Sequence, residues 1–166
     1  MPEEYLELIE CLKSMADEFN LAKKSIRKIA LDYAWKFIGT FYSWGGDDPS
    51  GFDCSGFICE VLSAVGILPR GADYSAAYMA DLFKEKQVGM PYAGCLVFYA
   101  DKEDATKVVH IELCINETLS IGASGGGSKT ITKEDAIKDN AFIKIRPFAS
   151  RSNIYGYADP FKDITK

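Results

Sequence analysis

One histidine, His110, is all the imidazole that 166 residues supply. Any nucleophile here that needs an imidazole base must therefore use that side chain. An excess of basic charge is also missing: 19 Lys and Arg against 24 Asp and Glu give a net charge of −5 and a pI near 5.0. Basic stripes are the footprint of proteins that hold phosphate backbones, so nucleic acid is excluded as a partner, and attraction to anionic surfaces with it. Long apolar runs are absent too. The longest, FICEVLSAVGIL, is broken by Glu60 and too short to span a bilayer, so no membrane anchor is expected. The start, MPEEYLELIE, is acidic where a secretory signal would be basic and then continuously apolar, and reads as mature protein made in the cytoplasm. Cys11, Cys54, Cys59, Cys95 and Cys114 are odd in number and show no CxxC spacing. Neither a disulfide framework nor a zinc knuckle is expected from them.

What is present fits one globular domain, 48% hydrophobic. Tyr5, Leu8, Ile9, Leu12, Met15, Ala16 and Phe19 repeat at helical spacing, and Ile26, Ile29, Ala30, Tyr33 and Phe37 do so again before Gly39. The pattern predicts two amphipathic helices, with residues 1–22 an accessory helix of the same compact unit and residues 23–166 the main domain. The accessory helix either covers a cleft or docks a partner. A third helix starts at Cys54, with Asp53 as N-cap, Phe57, Ile58, Val61, Leu62 and Val65 on its buried face, and Gly66 at its end. A short fourth is expected around Ala76 to Phe83. After Gly94 the pattern becomes extended: CLVFYA, VVHIELCI, TLSIGA and AFIKIRPF are β-rich runs separated by turn-formers, among them the GGGS stretch from Gly125, read as a surface loop. Helices followed by strands make the fold class α+β.

Cys54 at the first turn of a helix meets unpaired backbone N–H groups and the positive end of the macrodipole, which favour thiolate over thiol. The same N–H groups suit a developing oxyanion. His110, in mid-strand, presents its ring on one face of the sheet, and packing that face on the helix N-terminus would bring base to nucleophile. Taken singly, a buried cysteine and a satisfied core histidine explain the same residues. Trp44, Tyr74, Tyr78 and Tyr92 are candidates for an aromatic wall or for packing, Asp47 and Asp48 for an amine contact or a turn, and Arg70 for a substrate carboxylate or a helix cap.

Five segments in order, YSWGG at Tyr42, DCSGF at Asp53, GILPR at Gly66, the strand VVHIELCI and RPF near the end, cover roughly residues 25 to 161. Together they resemble the NlpC/P60 family of papain-like cysteine peptidases. The resemblance implies a papain-like fold with N-terminal helices packed on a central antiparallel sheet. It assigns the nucleophile to Cys54, the base to His110 and a site-lining role to Tyr42, and it puts Ser55 beside substrate, where Trp44 and Asp53 are further binding candidates. The implied substrate is the stem peptide of bacterial peptidoglycan, cut by acyl transfer through a thioester in the manner of a γ-D-glutamyl endopeptidase. No metal or organic cofactor is required.

Two positions depart from the family pattern. The polar third residue, often histidine, that fixes the imidazole falls twelve positions after His110, on Gly122, which also counts among the substrate-side positions. A family Gly-Asp pair is Gly94-Cys95 here, and Cys95 is expected in the core. Glu112 projects from the same strand face as His110. Either it reaches across the space left by Gly122 to orient the ring, or it is a solvated or substrate-facing charge. A backbone carbonyl or Ser124 is a further candidate for that role, and a crippled site is the remaining alternative. A wall enzyme without a visible export signal points to a carrier, such as a phage particle or tail, or a lysis route. The competing functions are a non-hydrolytic structural or assembly component with a degenerate site, and a cysteine acyltransferase or amidase on another substrate.

Overall fold

No glycine or proline interrupts residues 3–35, and the chain makes one helix of them, α1 (Glu3–Trp35). The computed structural model describes residues 3–162, with side chains from Leu6 onward except Lys23. The two helices expected before residue 39 are thus one. The junction, NLAKKS at 20–25, contains nothing that stops a helix, and the apolar spacing on either side stays in phase. Only the C-terminal half of α1 docks. Ala30 and Ala34 are fully buried, Tyr33 donates to Glu60 (2.5 Å), and Arg27 reaches Asp159 (2.9 Å) and the Ala93 carbonyl (3.1 Å). Every residue from Leu6 to Ala22 is exposed. Among the described residues no helix is long and apolar enough to cross a membrane.

A two-stranded turn, β1 (Asp47–Asp48) and β2 (Gly51–Phe52), leads into α2 (Cys54–Ala64). After α2 come α3 (Ala76–Leu82), β3 (Gln87–Val88), β4 (Leu96–Ala100), β5 (Val108–Cys114), β6 (Leu119–Ser124), α4 (Lys133–Lys138), β7 (Phe142–Pro147) and β8 (Ile154–Ala158). Six strands form one antiparallel sheet in the order β3-β8-β4-β5-β6-β7. The fold is α+β, as expected.

Alternation along the strands sorts the sheet into two faces. One face, with Leu96, Phe98, Ile111, Leu113, Ile121, Ala123 and Ile143, packs on Phe57, Ile58, Val61 and Leu62 of α2. Burying each such large side chain contributes about 1.5–3 kcal/mol, so this layer carries most of the stability. The opposite face holds a smaller cluster of Cys95, Val97, Tyr99, Cys114 and Phe148. Cys95 is buried there, as expected. Pairing between β5 and β6 is confined to Leu113 with Ile121 and Cys114 with Ser120. Nearer the start of β5 the two strands part, and that opening positions the site.

Candidate active site

Asp53 sits in extended backbone and accepts hydrogen bonds from the Gly56 N–H (2.8 Å), the Ser55 hydroxyl (2.9 Å) and the Gly45 N–H (3.1 Å). One carboxylate thereby starts α2 and ties it to the loop that carries Tyr42 and Trp44. Asp53 and Ser55, expected beside substrate, spend these polar atoms on each other and on the backbone. Their observed work is to fix the first turn, at whose start Cys54 stands.

The thiol lies where β5 and β6 part. The Cys114 N–H donates to Cys95 on the β4 side, so by alternation the Ile111 N–H points toward β6, where no ladder partner meets it. It bears on the Cys54 sulfur instead, together with the N–H groups of Ser55 and of Cys54 itself. Burial nevertheless pushes the Cys54 thiol up to about 12, the Asp53 charge adding to the shift, and the N–H groups only moderate it. The resting thiolate expected from the helix N-terminus is therefore not favoured: desolvation outweighs the dipole. Burial likewise lowers the pKa of His110, against the opposing pull of Glu112. The resting pair is a neutral thiol and a neutral imidazole.

His110 lies on the other face of β5. Its ring stacks beside Tyr99 (centroids 5.4 Å apart), on the sheet face opposite the one that packs on α2. The expected packing of the His110 face against α2 is thus corrected: residues 111 and 113 make that contact. Among the described residues no hydrogen bond joins the two.

Glu112 is the other half of the histidine site. Its Oε1 lies 2.9 Å from His110 Nε2 and accepts from Arg146 Nη2 at 2.6 Å; its Oε2 accepts from the Ser120 hydroxyl at 2.6 Å and, at longer range, from the Tyr99 hydroxyl at 3.4 Å. Burial, at 1% exposure, works against the charge. The hydrogen bond with His110, the charge of that imidazole once it is protonated, the Arg146 guanidinium and Ser120 prevail and hold the carboxyl at about 2. An ionised Glu112 can only accept, so Nε2 carries the ring proton and Nδ1 is left as the basic nitrogen.

Gly122 makes this possible. A Cβ at that position would stand 2.5 Å from Glu112 Cγ, closer than side chains approach one another. Gly122 is buried, and its vacated volume is filled by Glu112, so it offers no surface to substrate. Ser124, the alternative orienting group, instead accepts from Arg151 Nη2 at 3.2 Å. Arg146 and Ser120 escaped sequence reading. They face each other across β6 and β7, and only that pairing register would have put them beside Glu112.

Tyr42 is buried (4% exposed), with burial and the nearby Cys54 and Asp53 raising its pKa, so its phenol stays protonated beside the thiol. Gly126 covers the ring: a Cβ there would come within 2.3 Å of Tyr42 Cδ1, so the glycine run is a lid on Tyr42 as well as a loop. Trp44 is 55% exposed. Tyr74 and Tyr78 pair at 4.7 Å between centroids, whereas Tyr92 hydrogen-bonds Asp159 (2.9 Å) at the root of α1 and takes no part in a common wall. A 430 Å³ cavity opens beside Tyr42, Asp47 and Asp48. Among the described residues no three His, Cys, Asp or Glu side chains gather as metal ligands.

The model described as the NlpC/P60 family matches residues 39–146, from the loop before Tyr42 through Arg146. The chain belongs to the NlpC/P60 family. Among curated relatives, the probable peptidoglycan endopeptidase LytE of Bacillus subtilis is 32% identical over 61% of this chain and 28% of its own length. The probable endopeptidase p60 of Listeria welshimeri is 34% identical over 58% of this chain and 17% of its own. A γ-D-glutamyl-L-lysine dipeptidyl-peptidase of B. subtilis is 29% identical over 66% and 37%. The chain thus spans well under half of each relative's length. Among solved structures, an NlpC/P60 protein of Bacillus cereus superposes with a TM-score of 0.60 at 23% identity, over 80% of this chain and 38% of that one. The NlpC/P60 domain of the peptidoglycan hydrolase SagA does so with a TM-score of 0.53 at 23% identity, over 80% and 97%. These likenesses show the shared papain-like NlpC/P60 fold.

Proposed function

We propose that this NlpC/P60 domain is a cysteine peptidase that cleaves an amide bond in peptidoglycan stem peptides, of the γ-D-glutamyl endopeptidase type. The observation that carries the proposal is the hydrogen bond between His110 and Glu112 over Gly122. A carboxylate stands behind the imidazole although the family's third position is empty, which argues against a degenerate site. The names of LytE, p60 and the dipeptidyl-peptidase support the substrate class.

In the proposed reaction Nδ1 of His110 takes the Cys54 proton as sulfur attacks the amide carbon, since the resting pair is neutral. The ionised Glu112 stabilises the imidazolium that forms. The Cys54 and Ser55 N–H groups and the protonated Tyr42 hydroxyl are the donors available to the tetrahedral oxyanion. The imidazolium returns its proton to the leaving amine, giving the Cys54 thioester. Water, deprotonated by His110, then releases the acid and restores the thiol. The place of action is the bacterial cell wall; a phage particle or tail is one carrier for such a domain, and the chemistry is the same with or without it.

The test is mass spectrometry of fragments released from purified sacculi of several chemotypes, comparing wild type with Cys54→Ala. Cysteine-dependent fragments with new D-glutamate ends support the proposal. A folded wild-type protein that releases nothing from any chemotype overturns it. Products bearing an added amine in place of water identify an acyltransferase instead.

A further inference from the structure

Three cations stand around the His110–Glu112 pair, and one carboxylate answers them. Lys144 and Arg146 lie on β7 opposite Gly122 and Ser120 of β6, where Glu112 fills the space that Gly122 leaves. The Arg151 guanidinium sits 5.3 Å over the ring of Tyr99, the same ring that stacks beside His110. All three are half-buried. Among the described residues the only ion pair that any of them makes is Arg146 with Glu112. Lys144 donates to the Asn140 carbonyl at 2.7 Å, and Arg151 donates to Ser124 alone, at 3.2 Å. The Nε atoms of Arg146 and Arg151 are buried with no hydrogen-bond partner. Three cations against one carboxylate leave an excess of two positive charges, in a protein whose net charge is −5. One guanidinium in contact suffices to hold Glu112 ionised, so that task does not account for Lys144 and Arg151. Partly desolvated cations without a counter-charge are costly. Burial, and then the Arg146 charge, lowers the pKa of Lys144 and of Arg151, and Arg151 is also close enough to feel Cys54.

We propose that Arg151, with Lys144 beside it, is an anion subsite that holds a carboxylate of the substrate next to the scissile amide. The inference rests on the reading of this domain as a stem-peptide peptidase. A γ-D-glutamyl linkage leaves the α-carboxylate of the same residue free, a few bonds from the carbonyl that Cys54 attacks. The diamino acid that follows supplies a second candidate when its side chain ends in a carboxylate. Either source offers the same chemistry, a planar anion that matches the fork of a guanidinium and cancels the excess charge. Arg151 has that fork to give, because Ser124 is its one hydrogen-bond partner and Tyr99 fixes its plane. Arg146 stays with Glu112. A neutral carboxamide in place of the carboxylate loses the charge-assisted bonds and leaves the cations uncompensated.

The test is kcat/KM on synthetic stem peptides that carry D-glutamate or its α-amide, D-isoglutamine, each followed by L-lysine or by meso-diaminopimelate. Wild type should prefer a carboxylate form over its neutral counterpart by at least about tenfold, chiefly through KM. Arg151→Met should erase that preference and Arg151→Lys should keep part of it, with thermal melts to show folding. Lys144→Gln, which leaves the Tyr99 stack in place, should reduce the same preference several-fold whether or not Arg151→Met folds. A preference that follows D-glutamate assigns the subsite to the α-carboxylate, and one that follows meso-diaminopimelate assigns it to the leaving-group side; both support the proposal. Equal hydrolysis of all the peptides by wild type would keep the peptidase and overturn the subsite. A preference indifferent to the Arg151 and Lys144 variants would overturn it too. Hydrolysis of none of them would overturn the peptidase reading, and the subsite with it.

Discussion

Glu112 occupies the space that any side chain at Gly122 would need: a Cβ on residue 122 would lie 2.5 Å from Glu112 Cγ and 3.1 Å from its Cβ. The two positions are therefore one device. The carboxylate beside His110 comes from the histidine's own strand, two residues on, and the absence of a side chain at Gly122 on the neighbouring strand admits it. Gly122→Ala should push Glu112 off His110, costing about 1–3 kcal/mol of stability and lowering kcat as removal of the carboxylate does. Gly122→His joined with Glu112→Ala should recover part of what either change loses. Steady-state kinetics on a stem peptide, with thermal melts to show folding, would decide; additive losses in the double variant would contradict the coupling.

Glu112→Gln keeps the shape of the side chain and removes its charge. The expected outcome is a fall of roughly 10² in kcat, less than the four powers of ten seen when a serine triad loses its carboxylate, because a thiol gives up its proton more readily than a hydroxyl. Unchanged turnover would remove Glu112 from the mechanism.

The charge on Glu112 also has a signature in stability against pH. Its carboxyl is held at about 2, below the ordinary 4.5, and the group is 1% exposed. A carboxylate depressed in the folded state stabilises fully above its unfolded pKa and loses that contribution as pH falls toward the folded value. The window is therefore about pH 4.5 down to about 2, and the loss is on the order of 3 kcal/mol. Urea melts across this range should show a shallower acid slope for Glu112→Gln than for wild type. Arg146→Met, which removes the 2.6 Å bond to Oε1, should move the loss to higher pH.

A half-buried thiol that desolvation pushes up to about 12 predicts slow alkylation. Iodoacetamide labelling of Cys54 should be slow at pH 6 and rise steadily through pH 9, without the flat acidic plateau of a preformed thiolate–imidazolium pair. Rapid labelling near pH 5 would contradict the neutral resting pair.

Much of this was legible in the residues, for reasons that particular elements make plain. Cys54 was placed correctly because Asp53 is a capping residue whose effect is local, and β4 to β7 because apolar runs between turn-formers need no tertiary information. The break expected near residue 22 failed because two helical patterns in phase, with no glycine or proline between them, are one helix. β8 (Ile154–Ala158) went unseen because Gly156 interrupts a short run; it becomes a strand only by pairing with β4. The six residues of α4 are held by the reciprocal capping of Thr132 and Asp135, a TxxD signal easily lost between β-rich runs. At the site, the same-face spacing of His110 and Glu112 was readable, but not which face α2 would cover. Nor were Arg146 and Ser120, whose roles depend on the register of β6 against β7.

Because His110 is the only histidine, the protein labelled with ¹⁵N-histidine reports one imidazole. Its nitrogen shifts at neutral pH read the tautomer directly. The wild type should show a protonated Nε2 and a bare Nδ1, and Glu112→Ala should abolish that preference. A proton on Nδ1 in the wild type, or a tautomer indifferent to the loss of Glu112, would contradict the central claim that Glu112 sets His110 as the base.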